Sequence, residues 1–379
     1  MLGFALLAPP ELAKLTGGNG RATSVSDGSS TSWGQVPPPA CGFRVRSRGL
    51  DLVDLGTSFG INVPHDGPGE VHVFDGKVQI APPGQPAAMR EIEGGQSITF
   101  DHRGGSRAIA QAPKAFVTIA DLDRIETEAA GLRLGRWFDA ATRLRTDPSL
   151  LVHFTFESES LARRVINHAG FDNTGPAGTL VGGQQATGRW PGKAAVAFRR
   201  VSDRVRLAVP GEYDSLTMVV WARVDSLPNE YHGLVMTDGF TVGYPHWQIR
   251  RSGRVSFSVR HQPQGDFFQT LTPPVILPET FGQWVSLAVV YDATARRVTQ
   301  FLNGRAVADM AIEHSVRLRL DTSELGNWGL TSHGGPSAIR NFVGSMDEFL
   351  LFGRALSARE IEQMFASGDP YRPFATAAP

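Results

Sequence analysis

From Gly42 onward the chain alternates apolar and polar residues at period two over short stretches, the pattern of half-buried β-strands. Phe43 and Val45 carry it first, then Leu50 to Leu55, then Phe59, Ile61 and Val63. In EVHVFDGKVQI, Val71 and Val73 share one side, Asp75-Gly76 supplies the positive φ angles of a tight turn, and Val78 and Ile80 return. This reads as a hairpin with His72 and Gln79 on its other face. Val205, Leu207 and Val209, then Val255, Phe257 and Val259, predict further strands, and Asn303-Gly304 in QFLNGRAV predicts a second hairpin turn. Residues 121–145 break the rhythm, with acids in the first turn, arginines in the last, and Leu122, Ile125, Ala129, Leu132, Trp137 and Ala141 at helical spacings. Gly131 and Gly135 each cost a helix about 1 kcal/mol relative to alanine, which predicts a break or kink there. Ser357 and Glu360 in LSAREIEQMF form a capping box that starts a short helix. Residues 16–40, rich in Gly, Ser, Thr and Pro, read as a loop or linker, and the tail from Asp369 reads as frayed.

Composition sharpens this into an all-β reading. The 379 residues predict two or three domains, and 42 Gly with 25 Pro are more than a helical bundle tolerates. The 37 basic and 37 acidic residues cancel, so no global field recruits a polyanion and nucleic acid is not expected as a partner. With one cysteine, Cys41, there is neither an intrachain disulfide nor a cysteine-rich zinc site. No stretch reaches the 18 apolar residues of a membrane span, and the opening MLGFALLAPP lacks the basic region and long apolar core of a signal peptide.

Residues 148–369 resemble the LamG-like, concanavalin A-type jelly roll of bacterial surface and secreted proteins. The likeness runs through LLVHFTFE, GTLVGG, RWPGKAAVAF, SLTMVVWARVDSLP, GRVSFSV, QWVSLAVVYDATARRVTQFLNG and GSMDEFLLFGRALSAREI. It implies two antiparallel sheets with Phe198, Val219, Trp221, Val289 and Tyr291 between them. Residues 42–100 resemble the C-terminal half of a FecR-type domain, through GFRV, DLGTSFGINV, EVHVFDGKVQI and EGGQSI. RWFDAATRLRTDPSLLVHFTFE is similar to the linker of planctomycete-type proteins that fuse the two. The expected fold is therefore all-β: an irregular segment 1–41, a partial FecR-like β domain 42–118, a helical linker 119–147, a LamG-like antiparallel β-sandwich 148–369 and a tail 370–379. A full FecR member has a sigma-binding segment and a membrane helix where this chain has residues 1–41, which predicts an N-terminally truncated product anchored only through what is missing.

Gly56-Thr57-Ser58-Phe59-Gly60 satisfies G-x-S-x-G, but a nucleophile elbow needs a following helix and INVPHD reads as strand, so a strand corner is expected. The jelly roll also hosts glycoside hydrolases, which need paired carboxylates; the Glu-x-Asp-x-x-Glu strand of that family is absent, and Asp347 and Glu348 are adjacent and expected on opposite faces. The resemblance implies a structural calcium ion, with Asp172 and Asn173 of AGFDNTGPAG and Asp347 as candidate ligands; the competing reading is a capped turn at Asp172-Asn173 and a local hydrogen bond for Asp347. Sugar binding needs aromatic faces beside polar groups, which Tyr244, His246 and Trp247, and separately Trp328 and His333, offer; the competing reading places Trp247 and Trp328 in the sandwich core. The function expected is a non-catalytic recognition module of the periplasm, cell envelope or cell surface, binding a glycan or a surface protein. The alternatives are a FecR-type periplasmic sensor or anti-sigma regulator with an envelope signalling partner, and last a glycoside hydrolase or esterase.

Overall fold

The structure, a computed structural model, describes residues 30–35, 44–46, 49–56, 58–63, 67–101, 103, 105–112, 119–157, 163–170, 175–263, 265–329 and 339–371. The chain divides into two compact units, residues 1–127 and 128–379.

The first unit stacks two antiparallel sheets on one core. Five strands run in the order Ser30–Gln35, Ser58–Val63, Gly69–Asp75, Ser97–Phe100, Ser106–Ala108, and four in the order Arg44–Arg46, Asp51–Asp54, Lys77–Ala81, Arg90–Glu93. The hairpin expected in EVHVFDGKVQI does not form. Gly69–Asp75 pairs with Ser58–Val63 and Ser97–Phe100, while Lys77–Ala81 pairs with Asp51–Asp54 and Arg90–Glu93. Gly76, at φ 79, carries the chain from one sheet to the other. Val71, Val73, Val78 and Ile80 are buried all the same, because both strands turn an apolar side into the shared core. Alternation decides which side of a strand is buried and leaves its neighbour open. Ser30–Gln35, in the stretch expected to be a loop, pairs in register with Ser58–Val63. An edge strand needs backbone partners more than an apolar pattern. Ser58 opens a strand, as expected of a strand corner after Gly56 at φ 97.

Helix α1 (Ile119–Leu144) runs unbroken through Gly131 and Gly135. Both glycines sit where an added Cβ would meet nothing within 4 Å, so their propensity cost is not compounded by any steric defect. In its C-terminal part, Ala130, Trp137 and Ala141 are buried, with Leu134 and Leu144 partly so, at spacings of four and three. Ile125 and Leu132, expected on the apolar stripe, are exposed.

The second unit is a sandwich of two eight-stranded antiparallel sheets. The first runs Gln184–Thr187, Ala194–Phe198, Gly344–Phe352, Ser215–Val224, Trp284–Asp292, Arg297–Leu302, Arg305–Ala311, with Leu150–Phe154 also on Gly344–Phe352. The second runs Arg164–Val165, Gly178–Val181, Arg204–Val209, Asp321–Leu325, Tyr231–Thr237, Pro245–Arg250, Arg254–Arg260, Phe267–Pro274. Phe198, Val289 and Tyr291 fill the space between them as expected. Val219 and Trp221 do not: Leu216, Met218, Val220 and Ala222 take the inward positions of that strand, and its outward residues pack on a helical layer. That layer holds α1 and α2 (Ala358–Gly368), with Leu144, Ile361, Met364 and Phe365 in its contacts. A sheet covered on both faces explains why SLTMVVWARV reads as one apolar run.

Asn303 and Gly304, at φ 49 and 77, close the hairpin between Arg297–Leu302 and Arg305–Ala311. The Ser357 hydroxyl caps α2 at the Glu360 amide while Glu360 accepts from the Ser357 amide. Beyond α2 the chain stays attached, since the Trp284 amide donates to the Tyr371 hydroxyl at 2.9 Å.

Candidate functional site

The two outer faces of the sandwich carry different chemistry. On the first sheet, a β-bulge opposite Trp221 and Ala222 inserts one extra residue between Met346 and Glu348. Asp347 and Glu348, expected on opposite faces, therefore both point outward, because a bulge cancels the alternation for one step. They share one guanidinium: Arg189 Nε donates to Asp347 Oδ2 at 2.8 Å and Nη2 to Glu348 Oε2 at 2.6 Å. Trp137 Nε1 donates to the same Glu348 oxygen at 2.9 Å, and His153 Nε2 meets Oε1 at 2.8 Å. The Arg189 guanidinium also lies 4.3, 4.8 and 5.8 Å from the rings of Trp221, Trp190 and Trp137. Burial alone would raise Glu348, but Arg189 and then the His153 bond outweigh it and hold the carboxyl down to about 2. Burial pushes Asp347 up, against the pull of Arg189.

Two carboxylates with divergent affinities for a proton are what acid–base catalysis uses. Here, however, the Asp347 and Arg189 side chains have no exposed surface, and Glu348 has 5%. No substrate reaches them, and the cluster instead ties α1 to the sheet. Of Asp347, expected as a calcium ligand, Oδ2 accepts from the Arg189 amide and guanidinium, both at 2.8 Å. Asp172 and Asn173 lie outside the described residues. Among the described residues no group of three or more His, Cys, Asp or Glu is placed to hold a metal ion.

The outer face of the second sheet is polar and aromatic. In Pro245–Arg250, Trp247 and Ile249 point into the core, so His246, Gln248 and Arg250 point out. Trp247 is fully buried and offers no ring face to a ligand, which corrects its place among the sugar-stacking candidates. His246 and Trp328 do come together, edge to face at 5.1 Å between ring centres, but both are buried, with 4% and 9% of their surface exposed, so Trp328 too fits the competing core reading. His246 Nε2 donates to the Gly239 carbonyl at 3.0 Å, and Trp328 Nε1 to the Thr237 carbonyl at 3.0 Å. Burial, then the charge of Arg340, holds His246 down to about 3, so it is neutral at physiological pH. Tyr244 sits at the margin, its hydroxyl donating to Asp321 Oδ2 at 2.6 Å with Arg319 over its ring. His333 lies outside the described residues.

From this pair a ladder of rings and guanidinium groups extends both ways. Arg340 lies 4.3 Å from the Trp328 ring and 5.0 Å from that of Tyr231, and Arg250 lies 5.7 Å from the same tyrosine. On the other side, Phe240 packs on His246 at 4.6 Å and carries Arg260 at 5.1 Å. Gln248, Ser258 and Gln269 lie beside it: Arg340 donates to Gln248, Gln269 to Ser258 at 2.8 Å, and Arg250 to Gln269 at 2.6 Å. Sequence reasoning named Tyr244, His246 and Trp328 and missed Tyr231, Phe240, Arg250, Arg260 and Arg340. The period-two set His246, Gln248, Arg250 was the available signal; Tyr231, Phe240 and Arg340 come from segments that only folding brings together.

Residues 178–362 match the sequence model of the concanavalin A-like lectin/glucanases superfamily. The second unit thus contains a LamG-like, concanavalin A-like domain. Among solved structures, the chain is similar to the binding domain of Paraclostridial Mosquitocidal Protein 1, at 15% identity and TM-score 0.45, over 58% of this chain and 52% of that one. It is similar also to the botulinum neurotoxin serotype D binding domain, at 12% and 0.45 over 57% and 51%, and to that of serotype G, at 12% and 0.45 over 57% and 50%. The chain spans about half the length of each. No curated protein matches it.

Proposed function

We propose that this protein is a non-catalytic recognition module of the cell envelope that binds a glycan or protein ligand on the outer face of its second sheet. The observation that carries this reading is the ladder from Arg250 to Arg260. Rings and guanidinium planes there alternate above hydrogen-bonding Gln and Ser side chains, the combination that holds sugar rings or peptide groups. The carboxylate pair that catalysis would need lies instead beneath α1 on the other sheet. Binding of the full chain to an immobilised glycan and protein panel tests the reading. Saturable binding lost in Tyr231→Ala, with the thermal midpoint retained, supports it; binding unaffected by changes along the ladder sinks it. A structural calcium ion enters this reading through Asp172 and Asn173, and a midpoint identical in calcium and in chelator removes it. The FecR-type sensor remains the second reading, favoured by the two-sheet β unit that EVHVFDGKVQI and its neighbours build.

A further inference from the structure

Some arginines of the sandwich are held by carboxylates, and others, Arg251 and Arg254 as well as those of the ladder, by neutral oxygens. Arg189 is held by two carboxylates, and Arg206 by Asp238 and Glu324. Arg250 instead donates to an amide oxygen, that of Gln269, and Arg260 to the carbonyl of Phe240 at 2.9 Å. Among the described residues neither has a carboxylate partner, and the buried Arg250 Nε has no acceptor. Two of the acids near the ladder are engaged, Asp238 by Arg206 and Asp321 by the Tyr244 hydroxyl, while Glu230 and Asp266 stand exposed at its ends. A guanidinium pinned over a ring and bonded only to neutral oxygens keeps its charge and its planar fork for an incoming anion.

Spacing narrows the ligand further. Pro245 pairs with Val259, so Arg260 lies level with Tyr244, six residues along the strand from Arg250. At about 3.3 Å per residue the two Cα atoms stand roughly 20 Å apart. One small anion cannot engage both, whereas a polymer with repeated charges can, its sugar faces resting on the rings between.

We propose that the ladder binds an anionic polysaccharide, its carboxylates or sulfates against Arg250 and Arg260 and its sugar rings along Tyr231 and Phe240. This rests on the reading of the second sheet's outer face as the ligand surface.

The test uses the full chain and matched polymers: polygalacturonate against its methyl ester, and dextran sulfate against dextran, each at low and physiological ionic strength. The expected result is binding of the charged member of at least one pair, weakening as salt rises. The responding pair separates carboxylate from sulfate. Arg250→Gln or Arg260→Gln should weaken binding by about tenfold or more, and Arg250→Lys by less, since lysine keeps the charge and loses the fork. The salt series needs no variant and so stands even if one folds poorly. Equal, salt-insensitive binding of neutral and charged polymers overturns the anionic class and leaves the recognition reading intact. Binding of polyglutamate with none of any polysaccharide overturns the polysaccharide in favour of an acidic protein. No binding to this set, with binding elsewhere on a broader panel, overturns the inference alone; no binding to any panel overturns both.

Discussion

Both outer faces of the sandwich stack arginine on aromatic rings and bury much of the stack, His246, Gln248, Ser258 and Trp328 on one and Glu348 on the other, but they satisfy the cation differently. Beneath α1, Arg189 touches three tryptophans and two carboxylates, and all its charge is spent inside the protein. Along the ladder, Arg250 and Arg260 touch comparable rings but have neutral acceptors. The same residue pair thus has its cation satisfied by carboxylates in one place and by neutral oxygens in the other.

The largest effect that sharpens this contrast is removal of the fastener. Arg189→Met leaves Asp347 and Glu348 buried without their cation and should destabilise the second unit by about 3–5 kcal/mol in denaturant unfolding. Arg250→Gln, partly exposed and bonded to an amide, should cost under about 1 kcal/mol. Equal costs for the two would erase the distinction drawn between the faces.

Acid should separate the histidines from the carboxylates next. His246, held down to about 3, and His232, held down by burial to about 4, refuse protons that the unfolded chain takes up below the ordinary histidine value of 6.5. Stability should therefore fall as pH drops through 6.5, by about 1.4 kcal/mol per pH unit for each such group, down to its folded value. Glu348, held down to about 2, contributes stability that is complete above 4.5 and is lost only as pH falls from there toward 2. Asp347, raised by burial, works in the opposite sense and offsets part of it. His168, beside His153 near the carboxylate cluster, is also held down by burial, so the histidines of both faces should respond to acid before Glu348 does. A His246→Gln protein whose unfolding free energy keeps the full slope between pH 6.5 and 4 would refute this ordering.

The helical cover of the first sheet allows two smaller tests. Ser357→Ala removes the cap of α2 and should lower stability by about 1 kcal/mol. Gly131→Ala and Gly135→Ala place a methyl in open space on α1 and should each raise it by about 0.5–1 kcal/mol. A loss on either glycine change would show that the helix needs that position's freedom.

How much of this was legible in the sequence varied with range. The Asn303-Gly304 hairpin and the Ser357–Glu360 box formed as read, because each is satisfied within a few residues. Asp75-Gly76 did turn the chain, but into a second sheet, since partner choice depends on strands before and after the pair as well as on the turn. Trp221 read as sandwich core and lies under the helices, because a continuous apolar run cannot say which of its two faces meets which layer. Of the candidate site, His246 and Trp328 were named from local chemistry; Arg250, Arg260 and Arg340 looked like ordinary surface charges until their neighbours were known.

By itself the sequence determined the β character of the chain, its helical joint, its tight turns and the buried side of most strands, all of which follow from periodicity and local backbone preference. Only the tertiary structure decided that a bulge turns Asp347 and Glu348 to one side, and that Arg189 is neutralised while Arg250 and Arg260 are not. Those outcomes depend on which groups meet in the fold, 159 residues apart for Arg189 and Glu348 and 19 apart for Arg250 and Gln269, and on how much water the meeting excludes.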